Sequence, residues 1–520
     1  MTLGGFSLNM RRFTRQAWRN SVLYRFTLMG GPTPKHLTVM PTDPWPGDIY
    51  KGRLLLDGKF MLGNQVISMT DLWMPVDADP SSWADLHQFT WLRDLRALGD
   101  NFARRLARQL ITNWIDRNQD WHLYSWQVGV TGHRVANWIA LYDFFCSSAD
   151  DSFRSLFFRE IARQVRHLLY SWEEAEAPLE RLYALKGIIY AAITFPGESH
   201  RLSALMPQLE KEIQAQILSD GGHISRSPQI HLVVLQDLID IRAMLRLIGQ
   251  EIPSFLQATI HLMAPIVRLF RHGDGGLANF GGVPKISAPV IDMVLSLADV
   301  RGRPPERASA LAFERCANKK SLILLNVGAK VAGLPVVFGE EGTGSLNFEW
   351  SIGRDRIVLQ GDLILQTQDG QQFQIPSDVN SKTIQLHRVN QKGLSFIDAR
   401  YKQPDGLSFS HRRQLCLGGS QPNLRGEDTI QIPREGVYGI RFVLDKDVEA
   451  SLSSGRRGVI LRIPNSGKSF KSQEGEQWRF LVSGAQEILL EPCGENQAII
   501  LLGFAKGNEA TSIQWAFCQD

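Results

Sequence analysis

Apolar residues recur at helical spacing from about Ser82 to Phe270. Leu86, Phe89, Leu92 and Leu95 form one such series, and Leu106, Leu110, Trp114 and Ile115 another. Further stripes run over 135–145, 153–169, 182–193, 202–217, 233–247 and 254–270. Long helices with short polar connections predict paired antiparallel helices, and a curved or toroidal array of hairpins fits them. Beyond Arg271 the texture changes to short apolar or alternating runs at 321–327, 346–352, 356–359, 407–417, 439–444, 459–463, 488–490 and 498–502, separated by Gly, Asn, Asp and Pro. Short runs at this spacing predict an antiparallel β-sandwich, and the lack of interleaved helices argues against a parallel sheet. The chain therefore reads as an α+β multidomain protein. Residues 1–80 form an arm packing on the body, 81–282 an (α/α) toroid, 283–306 a linker and 307–520 the sandwich.

The arm is rich in Pro and Gly, and its Trp45, Phe60 and Trp73 need a surface to bury against. A short hairpin is expected around Gly58–Gly63. Five tryptophans of the helical half, Trp114, Trp121, Trp126, Trp138 and Trp172, are core residues or sugar-stacking platforms, with core the commoner fate.

One stretch concentrates polar chemistry. Ser219-Asp220-Gly221-Gly222-His223-Ile224-Ser225-Arg226-Ser227-Pro228-Gln229-Ile230-His231 joins two helical patterns and places an acid, two imidazoles, a guanidinium and hydroxyls beside two glycines. It is at least a helix stop at the glycine pair followed by an N-cap at Ser227 with Pro228 in the first turn.

Bulk properties narrow the classes. At 520 residues the chain is too long for one core, and 43% hydrophobic with 21% charged residues is ordinary for a globular protein. A formal charge of +4 makes no case for nucleic acid. Cys146, Cys316, Cys416, Cys493 and Cys518 form no metal or disulfide framework, and only His223 and His231 approach ligand spacing, so no metal or cofactor is implied. No apolar run approaches the length of a membrane span. The basic N-terminus, with Arg11, Arg12, Arg15, Arg19 and Arg25 interleaved with Phe13, Trp18, Leu23 and Phe26, lacks a clean signal-peptide pattern. It is either a solvated basic arm or a surface-lying amphipathic helix. P-loop, dinucleotide, zincin and nucleophile-elbow motifs are missing.

Several segments in a fixed order carry a resemblance over nearly the whole chain. They are Pro44-Trp45-Pro46-Gly47-Asp48, Leu86-His87-Gln88-Phe89 leading into Trp91-Leu92, Arg134-Val135-Ala136-Asn137-Trp138, Asp220-Gly221-Gly222-His223 with Arg226-Ser227-Pro228, and Arg271-His272-Gly273-Asp274-Gly275-Gly276. In the β half stand Ser345-Leu346-Asn347-Phe348-Glu349, His411-Arg412-Arg413, Leu424-Arg425-Gly426-Glu427-Asp428 and Trp515-Ala516. Together they resemble the heparinase II/III family of polysaccharide lyases. That resemblance implies an (α/α) toroid, an antiparallel sandwich and β-elimination of a uronic-acid-containing glycan in a cleft between them. One group neutralises the carboxylate, a base takes the C5 proton, and an acid protonates the leaving oxygen. The family's usual players are an Asn or His on a helix, a Tyr, and a His from the β domain.

At those positions the chain departs from the pattern. Leu179 stands at the Asn position, Ile230 at the Tyr position, and 341–349 bring no imidazole. A lyase would therefore draw on His223 and His231 as bases and Arg226 as carboxylate clamp, with Arg134, Asn137 and His272 binding substrate. Each also has a structural reading, since a loop histidine or an arginine at a helix end commonly braces the fold. Arg425 and Glu427 read as a strand or turn ion pair. Three functions stay open: a lyase acting on an acidic polysaccharide or oligosaccharide, a degenerate relative that binds a cell-envelope glycan without cleaving it, and a scaffold whose sandwich makes the contacts. The family implies periplasm or cell envelope, while the lack of a clear signal peptide leaves the cytoplasm open. Oligomeric state is not legible.

Overall fold

The computed structural model describes residues 17–519, apart from 20, 64, 74–79, 281–285, 329–345, 367–383, 392, 403–408, 419–422, 434 and 464–475. The chain divides into two compact units: Met1–Gln216 with Val234–Ile260, and Ile217–Val233 with His261–Asp520.

The first unit is helical. Its principal helices are α1 (Val22–Met29), α2 (Ile49–Leu56), α3 (Pro80–Gln88), α4 (Leu92–Leu98), α5 (Asn101–Arg117), α6 (Val128–Ala140), α7 (Tyr142–Cys146), α8 (Asp151–Ser171), α9 (Pro178–Thr194) and α10 (Leu202–Gln216). Their starts follow sequence chemistry. Asp100 accepts from Ala103 N at 2.7 Å, Asp150 from Phe153 N at 2.8 Å, and Pro178 opens α9 where no N–H is needed. Helices α6 and α9 cross with backbones in contact, because a Cβ on Gly132 would lie 2.2 Å from the Tyr183 carbonyl oxygen. Trp114, Trp126, Trp138 and Trp172 are buried core.

The arm belongs to this unit and carries the expected hairpin, β1 (Lys59–Leu62) with β2 (Gln65–Ser68). Trp45 is buried and its indole N–H donates to Asp240 Oδ1 at 2.8 Å, while Phe60 meets Trp91 edge-on and Trp73 stacks on Phe89. Asp43 takes two arginines, Arg93 through both Nε and Nη2 and Arg96 at 2.9 Å.

The second unit holds two eight-stranded antiparallel sheets, which with the helical unit match the predicted class. One runs β13 (Glu449–Leu452), β14 (Gly458–Ile463), β15 (Glu476–Ser483), β18 (Thr511–Gln519), β11 (Leu424–Gln431), β10 (Ser410–Gly418), β9 (Leu394–Lys402), β8 (Ile384–Gln391), and the other β16 (Glu487–Cys493), β17 (Asn496–Ala505), β12 (Gly436–Leu444), β7 (Asp355–Gln366), β6 (Phe348–Ile352), β5 (Ser321–Asn326), β4 (Phe313–Asn318), β3 (Arg307–Ala308). Alternate residues face inward, and Phe348, Trp350, Phe442, Trp478, Phe480, Trp515 and Phe517 form an aromatic core. Buried Asp428 ties three strands by accepting from His411 at 2.7 Å, Arg413 Nε at 2.6 Å and Trp515 Nε1 at 2.8 Å. Helices α11 (Pro228–Leu247), α12 (Ser254–Leu269) and α13 (Ala288–Ala298) precede the strands, the last inside the stretch read as linker.

Candidate functional site

The polar loop 219–231 folds as a knot of local hydrogen bonds within the second unit. Gly221 has φ +90° and approaches so closely that a Cβ would sit 2.1 Å from the Leu262 carbonyl oxygen. Asp220 accepts from Gly222 N at 3.1 Å and from Leu311 N at 2.8 Å. Ser227 caps α11, its hydroxyl accepting from Ile230 N, with Pro228 in the first turn as the sequence predicts.

His223 is buried, and its Nδ1 accepts from Ser225 N at 3.1 Å and meets the Ser225 hydroxyl at 2.8 Å. Burial, with help from nearby His231, pushes its pKa down to about 3. His231 is buried too. Its Nε2–H donates to the Met263 carbonyl at 3.0 Å, and burial lowers it to about 4. Arg226 sits at φ +59° and donates to the carbonyls of Leu311 and Ala312 and to the Asn326 side chain. Its guanidinium lies 5.1 Å from the Phe313 ring centroid, and burial lowers its pKa to about 10.

The second glycine-rich loop is held to β6. His272 bonds Ser351 at 2.8 Å and Glu349 at 3.1 Å, and burial lowers its pKa against the pull of Glu349. Arg356 grips Asp274 through Nε at 2.8 Å and Nη2 at 3.2 Å. The five residues 341–345, part of the stretch lacking an imidazole, lie outside the described residues.

Arg134 and Asn137 belong to the first unit. Arg134 is fully buried over the Trp114 ring at 4.1 Å, with donors engaged by Gln164, His87 O, Ser125 O and Thr131. Asn137 donates to Gln88 O at 2.9 Å and accepts from Arg93 at 3.1 Å. So the structure gathers His223, Arg226, His231 and His272 in one unit and Arg134 with Asn137 in the other.

Sequence reasoning missed two groupings. At the centre of the first unit, buried Lys186 on α9 donates to Asp237 at 2.6 Å and Asp240 at 2.7 Å, one helical turn apart on α11. Asp237 also accepts from His133 Nε2 at 2.9 Å, and the half-buried Tyr183 ring lies 3.8 Å from that imidazole, centroid to centroid. Burial opposes its charge, yet Lys186 and His133 hold Asp237 down at about 2. Burial, then Asp237 and Asp85, push the Tyr183 phenol well above 10. Single charges inside the apolar stripes 182–193 and 233–247 were the available signal.

The second grouping is a groove of about 510 Å³ on the outer face of the β13–β8 sheet. Strand register lines up Phe396, Cys416, Arg425, Ala516 and Leu481 across it. Gln414, Glu427, Gln514 and Ser483 make the next row. The expected Arg425–Glu427 pair does not form: Glu427 accepts from Gln514 at 3.0 Å, and among the described residues the exposed Arg425 side chain has no hydrogen-bond or ionic partner. The volume is that of a small-ligand site. None of the six residues singled out from the loops and helices lines it. No group of three or more metal-ligating side chains occurs among the described residues.

Residues 70–280 match the model described as heparinase II/III N-terminus, and 363–505 the one described as heparinase II/III-like, C-terminal. FtsZ-localized protein C of Caulobacter vibrioides is 26% identical over 487 residues, covering 84% of this chain and 82% of that protein. Among solved structures, heparinase III aligns with TM-score 0.66 at 14% identity, over 86% of this chain and 78% of that one. A mutant of the heparan sulfate lyase HepC from Pedobacter heparinus aligns with TM-score 0.56 at 14% identity, over 96% and 88%.

Proposed function

The chain belongs to the heparinase II/III family, and we propose that it is a member that binds an acidic glycan without cleaving it. The observation that carries this reading is the pair Leu179 and Ile230, in the first turns of α9 and α11, at the positions where the resemblance calls for an amide and a phenol. A hydrocarbon side chain has no proton to give or take. The substitutes are poor. Tyr183 has its phenol pushed upward, whereas a base needs a pKa near the working pH. His223 and His231 are buried and weakly basic, so neither offers an open imidazole to a sugar ring.

Binding asks less of the protein. Arg425 presents a guanidinium suited to bidentate capture of a carboxylate, and Gln414, Gln514 and Ser483 supply amide and hydroxyl partners for sugar hydroxyls. Phe396 offers a ring face at the edge of the same groove. Titrating the protein calorimetrically with uronic-acid oligosaccharides tests this. Wild type gives a binding isotherm, and Arg425→Ala weakens it about tenfold or more, the loss of roughly one charge-assisted bidentate contact. Unchanged affinity in Arg425→Ala removes the groove as the site.

A second reading rests on the alignment with FtsZ-localized protein C over most of both chains. In it the non-cleaving fold acts as a scaffold at the division apparatus, and its ligand is protein. Co-sedimentation with FtsZ polymers, together with no isotherm for any glycan, selects that reading over the first.

A further inference from the structure

Helix α1 (Val22–Met29) is fastened to the first unit along one side only. Tyr24 and Leu28 are buried beside Trp126, the Tyr24 hydroxyl meets His167 Nδ1 at 2.5 Å, and Arg166 donates to the Leu28 carbonyl at 2.6 Å. The opposite side is apolar and faces solvent: Val22 is 68% exposed, Leu23 65%, Phe26 65% and Met29 51%, with Trp18 exposed just before them. Val22, Phe26 and Met29 follow four- and three-residue steps, so they form one ridge. An exposed ridge of this kind marks a contact surface.

Charge indicates what it contacts. Arg11, Arg12, Arg15, Arg19, Arg25 and Lys35 lie in the first 42 residues, and the first acidic residue of the chain is Asp43. Arg19 and Arg25 are paired with Glu174 and Asp120, which come from beyond these 42 residues. An apolar helix face in a segment whose sequence holds six Lys and Arg and no acidic residue is the pattern of a helix that lies in a membrane interface. A protein-binding ridge would need no such charge excess. We propose that α1 docks this protein on an anionic lipid surface, with Val22, Leu23, Phe26 and Met29 entering the headgroup boundary. Among the described residues no helix is long and apolar enough to cross a membrane. This goes beyond glycan binding and uses none of the groove residues.

Vesicle flotation of the full chain, without glycan, is the test. Wild type floats with vesicles of equal parts phosphatidylglycerol and phosphatidylcholine. It floats at least tenfold less with phosphatidylcholine alone, and raised salt weakens the association. Val22→Glu/Phe26→Glu lowers flotation on the anionic vesicles at least tenfold while its thermal midpoint stays within error, since both side chains are exposed. Wild type that stays with the soluble fraction, or a double variant that floats equally well, overturns the proposal. So does a wild-type dimer in lipid-free solution that the double variant converts to monomer, because the ridge would then be covered by a second copy.

Discussion

Lys186 shows how individual residues hold the helical unit together. Its ammonium is buried between Asp237 and Asp240, which raise its pKa against the effect of burial. Lys186→Met leaves two buried carboxylates short of their cation, and a loss of about 3–5 kcal/mol is expected in urea unfolding. A midpoint unchanged from wild type contradicts the assignment. Histidines set the pH response. Burial first of all holds His87, His167 and His223 at about 3 and His231 at about 4, below the ordinary 6.5. Below pH 6.5 the unfolded chain therefore takes up protons that the folded chain does not. Stability falls as pH drops from about 6.5 toward 3, by about 2 kcal/mol per histidine at pH 5. Urea midpoints at pH 7.5 and 5.5 check this, and a flat profile counts against it. Residue types at these sites are legible in the sequence, but their partners are not. Thr131 is one turn away on the same helix, but nothing local to Arg134 says that its guanidinium also serves the His87 carbonyl and Gln164, because those partners come from other parts of the fold.

Among the elements, periodicity predicts best where one face is buried and the other wet. That condition holds for the amphipathic helices of the first half and for the alternating sandwich strands. The turn chemistry of Ser227-Pro228 marks the start of α11 for the same local reason. Helix α13 escapes the pattern because Ala288–Ala298 is short and follows a Gly- and Pro-containing stretch. Close crossings are equally hidden. Gly132→Ala puts a methyl 2.2 Å from a carbonyl oxygen of α9 and forces two backbones apart. A thermal midpoint several degrees lower is expected, from a cost of about 1–3 kcal/mol. In the sandwich, Asp428→Asn weakens the partner of a buried arginine and strains the β10–β11–β18 junction. Loss of about 3–5 kcal/mol is expected, and calorimetry reads it.

Taken whole, the molecule keeps the architecture of the heparinase II/III family, and the proposal that it does not cleave rests on the residues at two positions. The ordered segments that carry the resemblance are mostly those that hold loops and sheets: Asp220, Arg226, His272, Glu349 and Asp428 all sit in hydrogen-bond networks. Fold and family were readable from sequence, through segments whose residues in this chain hold loops and sheets in place. The proposed function rests mainly on Leu179 and Ile230, which are legible in the sequence, whereas the groove around Arg425 emerges only when five strands bring distant residues into one row. The direct test of the central claim is ultraviolet absorbance of unsaturated uronate product during incubation with a panel of uronic-acid glycans. Absorbance should stay at the protein-free baseline for every glycan, including those that bind. Growth of that absorbance, abolished by Tyr183→Phe or His223→Ala, would contradict the account and return the protein to the lyases.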